Sequence, residues 1–266
     1  MIFFDIDGTL IDHASASAAA SVRLHDHFAR EIPFSCGEFP AIWETALMKH
    51  FNRFCRGEIS VWEQRRARIR DVFANPELSD DEALARYWIF IKHYEALTQA
   101  YADAAPALKQ LAGKPLGIIS NGVREQQIGK LERAGLLHHF SVMVYSEDVG
   151  LGKPAPAIFL EACRRAGENP ADCIHVGDDI ACDIEGSQAA GITTIWLARA
   201  GTASQVNCAR ISTLGELQSV LNQDLSARPK ALTTQDTEEY RGRRAQRMNP
   251  LCTSVPSVVN AFYRKD

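Results

Sequence analysis

The sequence predicts an α/β protein in which a doubly wound parallel sheet carries an inserted group of helices. Short apolar runs without an alternating polar face are typical of strands buried on both sides, and in the second half of the chain they alternate with helical stretches. About a hundred residues separate the first such run from the second, far more than a simple crossover needs. Together these observations favour a parallel sheet with an insert after its first strand.

Five runs are expected to form strands, and the helices between them have recognisable ends. Pro156 stands where a helix begins and Gly167 where it ends, and Gly135 closes the preceding helix in the same way. A last helix begins with the capping pattern of Thr213 and Glu216. The expected strands are residues 2–5, 116–120, 142–145, 173–176 and 192–197.

Residues 15–95 contain no convincing strand and are expected to form a small helical bundle, the insert. Its aromatic run, which includes Trp43 and Phe51, is interpreted as the core of that bundle rather than as a ligand site. Residues 1–14 and 96–225 would then form the Rossmann-like catalytic core.

Residues 226–266 hold eight Lys and Arg against four Asp and Glu, and we expect a solvated, partly disordered tail. The whole chain of 266 residues has a net charge of -4 and a pI near 6.1, which gives no reason to expect nucleic-acid or membrane binding. Its seven cysteines are irregularly spaced and form no C-x-x-C pair, so neither a zinc site nor a disulfide scaffold is indicated. A cytoplasmic protein is therefore expected.

Polar side chains follow four of the predicted strands, at the edge where parallel sheets bind ligands. Clustered carboxylates repel one another unless a cation lies between them, and ligands that are all oxygen favour Mg²⁺. A lysine and a hydroxyl group suit a phosphoryl group. The four segments are Asp5-Ile6-Asp7-Gly8-Thr9, Ser120-Asn121-Gly122, Gly150-Leu151-Gly152-Lys153-Pro154 and Gly177-Asp178-Asp179 with Asp183.

In this order the four segments resemble the motifs of the haloacid dehalogenase superfamily, whose members form aspartyl-phosphates. The helical insert resembles the type-one cap of that superfamily, and the resemblance covers about residues 1–222. It implies that Asp5 is the nucleophile and that Asp7 is the general acid and base. Lys153 would neutralise charge near Asp5 and the phosphate.

The resemblance also implies ligands for phosphate and metal. Gly8, Thr9, Ser120 and Asn121 would bind the phosphate together with Lys153. Asp178 would ligate Mg²⁺, together with Asp5 and the backbone carbonyl of Asp7. Asp183 would bind the ion through water or orient its direct ligands. For Asp179 we favour a helix N-terminal acid over a metal ligand. Asp12 and His13 lie close enough to contact a substrate, although loop polarity explains them equally well.

The acid at Asp7 disfavours dehalogenation, because halide needs no proton on leaving. The segments around residues 117–154 resemble bacterial 5′-nucleotidases, so a nucleoside 5′-monophosphate is the first substrate hypothesis. They also resemble acylneuraminate-9-phosphate and phosphoglycolate phosphatases, so a sugar phosphate or phosphoglycolate is the alternative. A phosphomutase or a non-catalytic phosphate-binding protein are the other classes, and a monomer or homodimer is expected. Within the insert, Trp43, Phe51, Arg53 and Arg56 could contact a base or a second anion, but for each we favour a place in the core or on the surface of the insert.

Overall fold

A computed structural model describes residues 1–199 and 206–223, and the predicted tail lies outside these ranges. Six parallel strands form one sheet in the order β3-β2-β1-β4-β5-β6, so the first strand lies at its centre. The predicted α/β fold with a parallel sheet is confirmed. The strands are β1 Ile2–Phe4, β2 Leu116–Ser120, β3 Val142–Tyr145, β4 Ile174–Gly177, β5 Thr193–Leu197 and β6 Ala209–Ile211.

The sixth strand, β6, is the one strand in the described ranges that the sequence analysis did not predict. It is three residues long, pairs only with β5, and includes the exposed Arg210, so it lacks the apolar run by which the other strands are recognised. The five predicted strands all form, with ends shifted by at most one residue.

Helices cover both faces of the sheet, which explains why its strands lack a polar face. Phe4 packs on one face with Leu108 and Leu131, while its neighbour Phe3 packs on the other with Phe159. These helices are α5 Ala104–Gln110, α6 Arg124–Arg133, α7 Ser146–Val149, α8 Pro156–Ala166, α9 Gly186–Ala189 and α10 Leu217–Asn222, with a π-helical turn at Ile180–Glu185.

The predicted helix ends are found where the sequence placed them. Helix α8 begins at Pro156, and Gly167 ends it in the left-handed conformation, with φ of 72°. Thr213 and Glu216 form the expected capping box, although the helix that follows opens with a 3-10 turn. Among the described residues no helix combines the length and apolar character needed to cross a bilayer.

Four helices lie between β1 and α5, and residues 15–95 contain no strand. Trp43 is fully buried among them, stacks near Phe90 with ring centroids 4.1 Å apart, and donates a hydrogen bond to Ser17. It therefore belongs to the core of these helices. The helices are α1 His13–His27, α2 Phe39–Cys55, α3 Val61–Val72 and α4 Asp80–Leu97.

A half-buried ion pair and its hydrogen bonds join four segments of the chain. Both oxygens of Asp103 accept hydrogen bonds of 2.9 Å from Arg199, and Oδ2 accepts a third from the backbone N–H of Leu214. Arg199 also donates to the carbonyl of Thr9, which follows the first strand. Burial opposes ionisation of Asp103, but these hydrogen bonds lower its pKa below the usual value.

The change Asp103→Ala should lower the free energy of unfolding by about 1–3 kcal/mol, because it leaves Arg199 and the Leu214 N–H without their acceptor. Urea denaturation followed by circular dichroism measures the change. Glu132→Ala, at an exposed position of α6, is the matched control and should shift stability by less than about 0.5 kcal/mol. Equal effects of the two changes would contradict the structural role of Asp103.

Candidate active site

Three carboxylates converge at the carboxyl end of the central strands. Asp5 follows β1, Asp178 follows β4, and Asp183 lies in the π-helical turn after it. One oxygen from each lies within 4.8 Å of the others. This is the edge at which parallel sheets bind ligands, and the sequence analysis placed all three residues there.

The ammonium of Lys153 lies between two of these carboxylates. Its Nζ donates to Asp5 Oδ1 at 2.5 Å and to Asp183 Oδ1 at 2.6 Å, and the lysine side chain is only 3% exposed. Burial opposes the charge of Lys153, but the two carboxylates outweigh it and raise its pKa above the usual value. The buried His175 adds a second contact to Asp183 at 2.9 Å. The ammonium thus holds its charge and fixes both acids.

The negative charge of the cluster exceeds what Lys153 neutralises. Burial raises the pKa of Asp5 well above its usual value, and Asp183, Asp178 and Asp7 raise it further against the effect of Lys153. Burial and Asp183 also raise the pKa of Asp178, to about 7. A divalent cation among these oxygens would remove the repulsion, and a hard cation such as Mg²⁺ prefers oxygen ligands. The three carboxylates therefore fit such an ion.

Two glycines allow this close approach. A Cβ on Gly8, whose φ is +90°, would collide with the carboxylate of Asp178, and a Cβ on Gly177 would collide with Asp183. Asp179 points elsewhere: its carboxylate accepts a 2.6 Å hydrogen bond from the N–H of Cys182 and caps the π-helical turn. This contact matches the interpretation of Asp179 as a helix N-terminal acid.

The residues expected to bind phosphate lie around the carboxylates. In this structure each of their side chains forms hydrogen bonds with a different part of the protein. Ser120 Oγ is buried at the end of β2 and accepts a hydrogen bond from Gln127. Asn121 joins the loops, since its side chain accepts from the Lys153 N–H at 2.6 Å and donates to the Lys153 carbonyl at 2.8 Å. The hydroxyl of Thr9 donates to Asp178. Asn121 therefore positions Lys153.

Asp7 forms a network that the sequence analysis did not foresee. Both of its oxygens accept hydrogen bonds of 2.7 Å from Lys130, and Oδ2 accepts another of 2.9 Å from Gln127. Burial favours the neutral acid, but Lys130, with a contribution from His13, lowers the pKa of Asp7 well below its usual range. Asp7 is therefore a carboxylate in this arrangement. Lys130 and Gln127 lie three residues apart, which places them on one face of α6. This spacing was the feature of the sequence that could have indicated a shared partner.

Two further neighbours of Asp7 are His13, the first residue of α1, and Tyr94 on α4. His13 Nδ1 lies 2.7 Å from the Tyr94 hydroxyl and 3.7 Å from Asp7. Burial lowers the pKa of His13 to about 4, so it is neutral near pH 7. Asp12, the other uncertain acid, caps α1 by accepting from the Ser15 N–H. Of the two loop residues that the sequence left open, only His13 lines the site.

A cavity of about 280 Å³ lies between the carboxylate cluster and helices α2, α3 and α4. Phe51 lines it, whereas the candidate arginines Arg53 and Arg56 pair with Glu58 on the surface. Two other arginines, Arg65 and Arg68, line it instead, and the sequence analysis missed them. Leu47, Phe54, Lys130 and Lys153 also contribute to its lining. The aromatic run of the insert is thus partly core and partly cavity wall.

Comparisons with known proteins agree with this geometry. The model of the haloacid dehalogenase-like hydrolase family matches residues 1–191. A glyceraldehyde 3-phosphate phosphatase of Methanopyrus kandleri is 41% identical over 106 residues, which are 39% of this chain and 46% of that enzyme. The human N-acylneuraminate-9-phosphatase is 27% identical over 75% of this chain and 83% of its own length.

Among solved structures, the putative hydrolase YfnB of Bacillus subtilis, bound to magnesium, superimposes with a TM-score of 0.74 at 25% identity. The match covers 83% of this chain and 97% of that one. The family model spans the segments that carry Asp5, Ser120, Lys153 and Asp183. The chain therefore belongs to the haloacid dehalogenase-like hydrolase family, and it is a phosphatase of that family.

Proposed function

We propose that the chain is a Mg²⁺-dependent phosphomonoesterase that transfers the phosphoryl group to Asp5 before water removes it. The observation that carries the proposal is the buried Asp5 carboxylate, held by Lys153 beside Asp178 and Asp183. A nucleophile fixed in this way has lost the orientational freedom that the reaction would otherwise have to remove.

In the first step, an oxygen of Asp5 attacks phosphorus and the bond from phosphorus to the leaving oxygen breaks. Lys153 contacts Asp5 directly and would stabilise the charge that develops on the phosphoryl oxygens. The product is an acyl phosphate on Asp5 and a free alcohol.

In the second step, water attacks the phosphorus of that intermediate and regenerates Asp5. Asp7 would accept the proton from water, and the carboxylate form that Lys130 and Gln127 stabilise suits this role. In the first step Asp7 would donate a proton to the leaving oxygen, and the proton that it accepts from water in the second step replaces it. Because Lys130 donates to both oxygens of Asp7, we propose that Lys130 is a positioning residue for Asp7.

Asp5, Asp178 and Asp183 would hold the Mg²⁺ ion, with the backbone carbonyl of Asp7 as a further ligand. When bound, the ion would offset the repulsion among the carboxylates and neutralise charge on the phosphate. We also propose that α1 to α4 are a cap over the catalytic core, with the boundaries expected from the sequence.

The cavity volume of about 280 Å³ lies just below the range of about 300–1,000 Å³ for pockets that hold drug-sized ligands. The substrate is therefore a small phosphorylated metabolite. A nucleoside 5′-monophosphate remains the hypothesis from the sequence, and a phosphorylated sugar acid or phosphoglycolate is the alternative.

Replacing Asp5 with Asn should lower kcat for an aryl phosphate by at least about 1,000-fold, because an amide cannot attack phosphorus. Removing divalent metal with a chelator should abolish turnover, and added Mg²⁺ should restore it. Phosphate release is the measurement, and Asp81→Asn in the first turn of α4 is the matched control. An Asp5→Asn enzyme within tenfold of the wild type would refute the mechanism.

Replacing Lys130 with Met should lower kcat by about 100-fold or less while the protein stays folded, because Asp7 loses the partner that fixes its position and charge. Steady-state kinetics with the aryl phosphate and Mg²⁺ measures the change. The exposed Lys109→Met on α5 is the control and should behave as wild type. A kcat within twofold of the wild type in Lys130→Met would show that Lys130 does not position Asp7.

A further inference from the structure

Two arginines on helix α3 form part of the wall of the catalytic cavity. Arg65 and Arg68 are each only 4% exposed, and both line the cavity that contains Asp5. They lie three residues apart and so share one face of the helix. Arginine keeps its charge at any physiological pH, so two positive charges are buried here.

Neither guanidinium has a carboxylate within ion-pair distance among the described residues. Arg65 donates from Nη2 to Gln126 at 2.6 Å, but its Nε and Nη1 have no hydrogen-bond partner. Arg68 Nε is likewise buried without a partner. Buried N–H groups are normally satisfied, so these three call for an acceptor.

Aromatic rings hold the planes of both guanidinium groups. Arg65 lies 4.6 Å from the ring centroid of Trp62 and 5.0 Å from that of Tyr87, and Arg68 lies 4.7 Å from that of Trp43. A ring stabilises the face of a guanidinium by cation–π attraction and leaves the N–H groups at its edge available. The two groups are therefore oriented in advance for a planar acceptor.

The local charge favours a monoanion as that acceptor. Burial lowers the pKa of Arg68, and the like charge of Arg65 adds to this effect, while Tyr87 and Glu44 oppose it. Glu44 also lines the cavity, and Arg68 acts to keep it ionised although burial raises its pKa. The two guanidinium groups and the Glu44 carboxylate together carry a net charge of +1. A carboxylate of the ligand balances this charge, whereas the charge of a phosphate dianion exceeds it.

We propose that Arg65 and Arg68 bind a carboxylate of the substrate, so that the enzyme acts on small phosphomonoesters of carboxylic acids. This rests on the proposed function, since the phosphate of the same molecule lies at Asp5 and Lys153. Gln64 and Gln126 line the same cavity and add uncharged polar side chains to its wall. A nucleoside monophosphate has no carboxylate for this subsite.

The test compares phosphorylated acids with their neutral primary amides. The acids are phosphoglycolate, 3-phosphoglycerate and a nine-carbon sugar acid 9-phosphate, and each is paired with its own amide. Nucleoside monophosphates are measured in the same assay as competing candidate substrates. For the best pair, kcat/KM of the wild type should favour the acid by about 10- to 100-fold, the effect of a hydrogen-bonded charge. This measurement needs no variant and so does not depend on whether a variant folds.

The variants Arg65→Gln and Arg68→Gln should reduce that acid-to-amide ratio to near one, and Arg65→Lys should retain part of it. The matched control is Arg56→Gln, which removes a surface arginine outside the cavity and should leave the ratio unchanged. Circular dichroism establishes that each variant is folded. Loss of the ratio in the control as well would contradict a specific role for the two buried arginines.

The outcomes separate this proposal from the one on which it rests. If the wild type with Mg²⁺ hydrolyses no aryl phosphate, the proposed function itself fails. If aryl phosphate is hydrolysed but acids and amides are equal, or a nucleoside monophosphate is the best substrate, the carboxylate subsite is refuted and the phosphatase remains.

Discussion

The arrangement of the active site depends on the burial of one ammonium among several carboxylates. Lys153 contacts Asp5 and Asp183 within 2.6 Å in a site that is almost closed to water. Removing either kind of charge would leave the other buried and unpaired, at a cost of about 3–5 kcal/mol. Other residues hold this pair in place. The side chain of Asn121 forms hydrogen bonds with the backbone of Lys153, and His175 contacts Asp183. The carboxylates in excess of this one ammonium are the reason why we propose a divalent cation in this site.

A second ammonium, that of Lys130, gives Asp7 an environment different from that of Asp5. Asp5 lies on the Lys153 side, whereas Asp7, two residues later, turns toward Lys130 on α6. Their pKa values move in opposite directions, upward for Asp5 and downward for Asp7. Such a separation is typical of paired acids that perform different tasks in one reaction. The helices after β1 complete the site, because His13, Tyr94 and the two buried arginines come from them.

The sequence predicted those features that depend on local pattern. Buried strands without a polar face, glycine and capping signals, and the polar residues just after each strand placed Asp5, Lys153, Asp178 and Asp183 at one edge. It did not predict β6, which is three residues long, pairs only with β5 and has the exposed Arg210 at its centre.

The sequence also did not predict the partners that meet through tertiary packing. Lys130 and Arg65 are charged residues on helices, and such residues face solvent far more often than a cavity. Arg65 is buried where α3 packs against α4 and meets Gln126 of α6, and Lys130 is buried against Asp7, so their sequence spacing alone carried too weak a signal. Arg53 and Arg56, for which a position in the core or on the surface of the insert was favoured over contact with an anion, pair with Glu58 on the surface.

The central claim is that the phosphoryl group passes to a carboxylate of the protein before it reaches water. The stereochemistry at phosphorus tests this directly, using a thiophosphate ester that is chiral by one 18O label and is hydrolysed in 17O-labelled water, so that the inorganic thiophosphate released is itself chiral. Each in-line displacement inverts the configuration, so transfer to Asp5 followed by hydrolysis predicts net retention in that product. Net inversion would mean that water attacks the substrate directly, and would contradict the account.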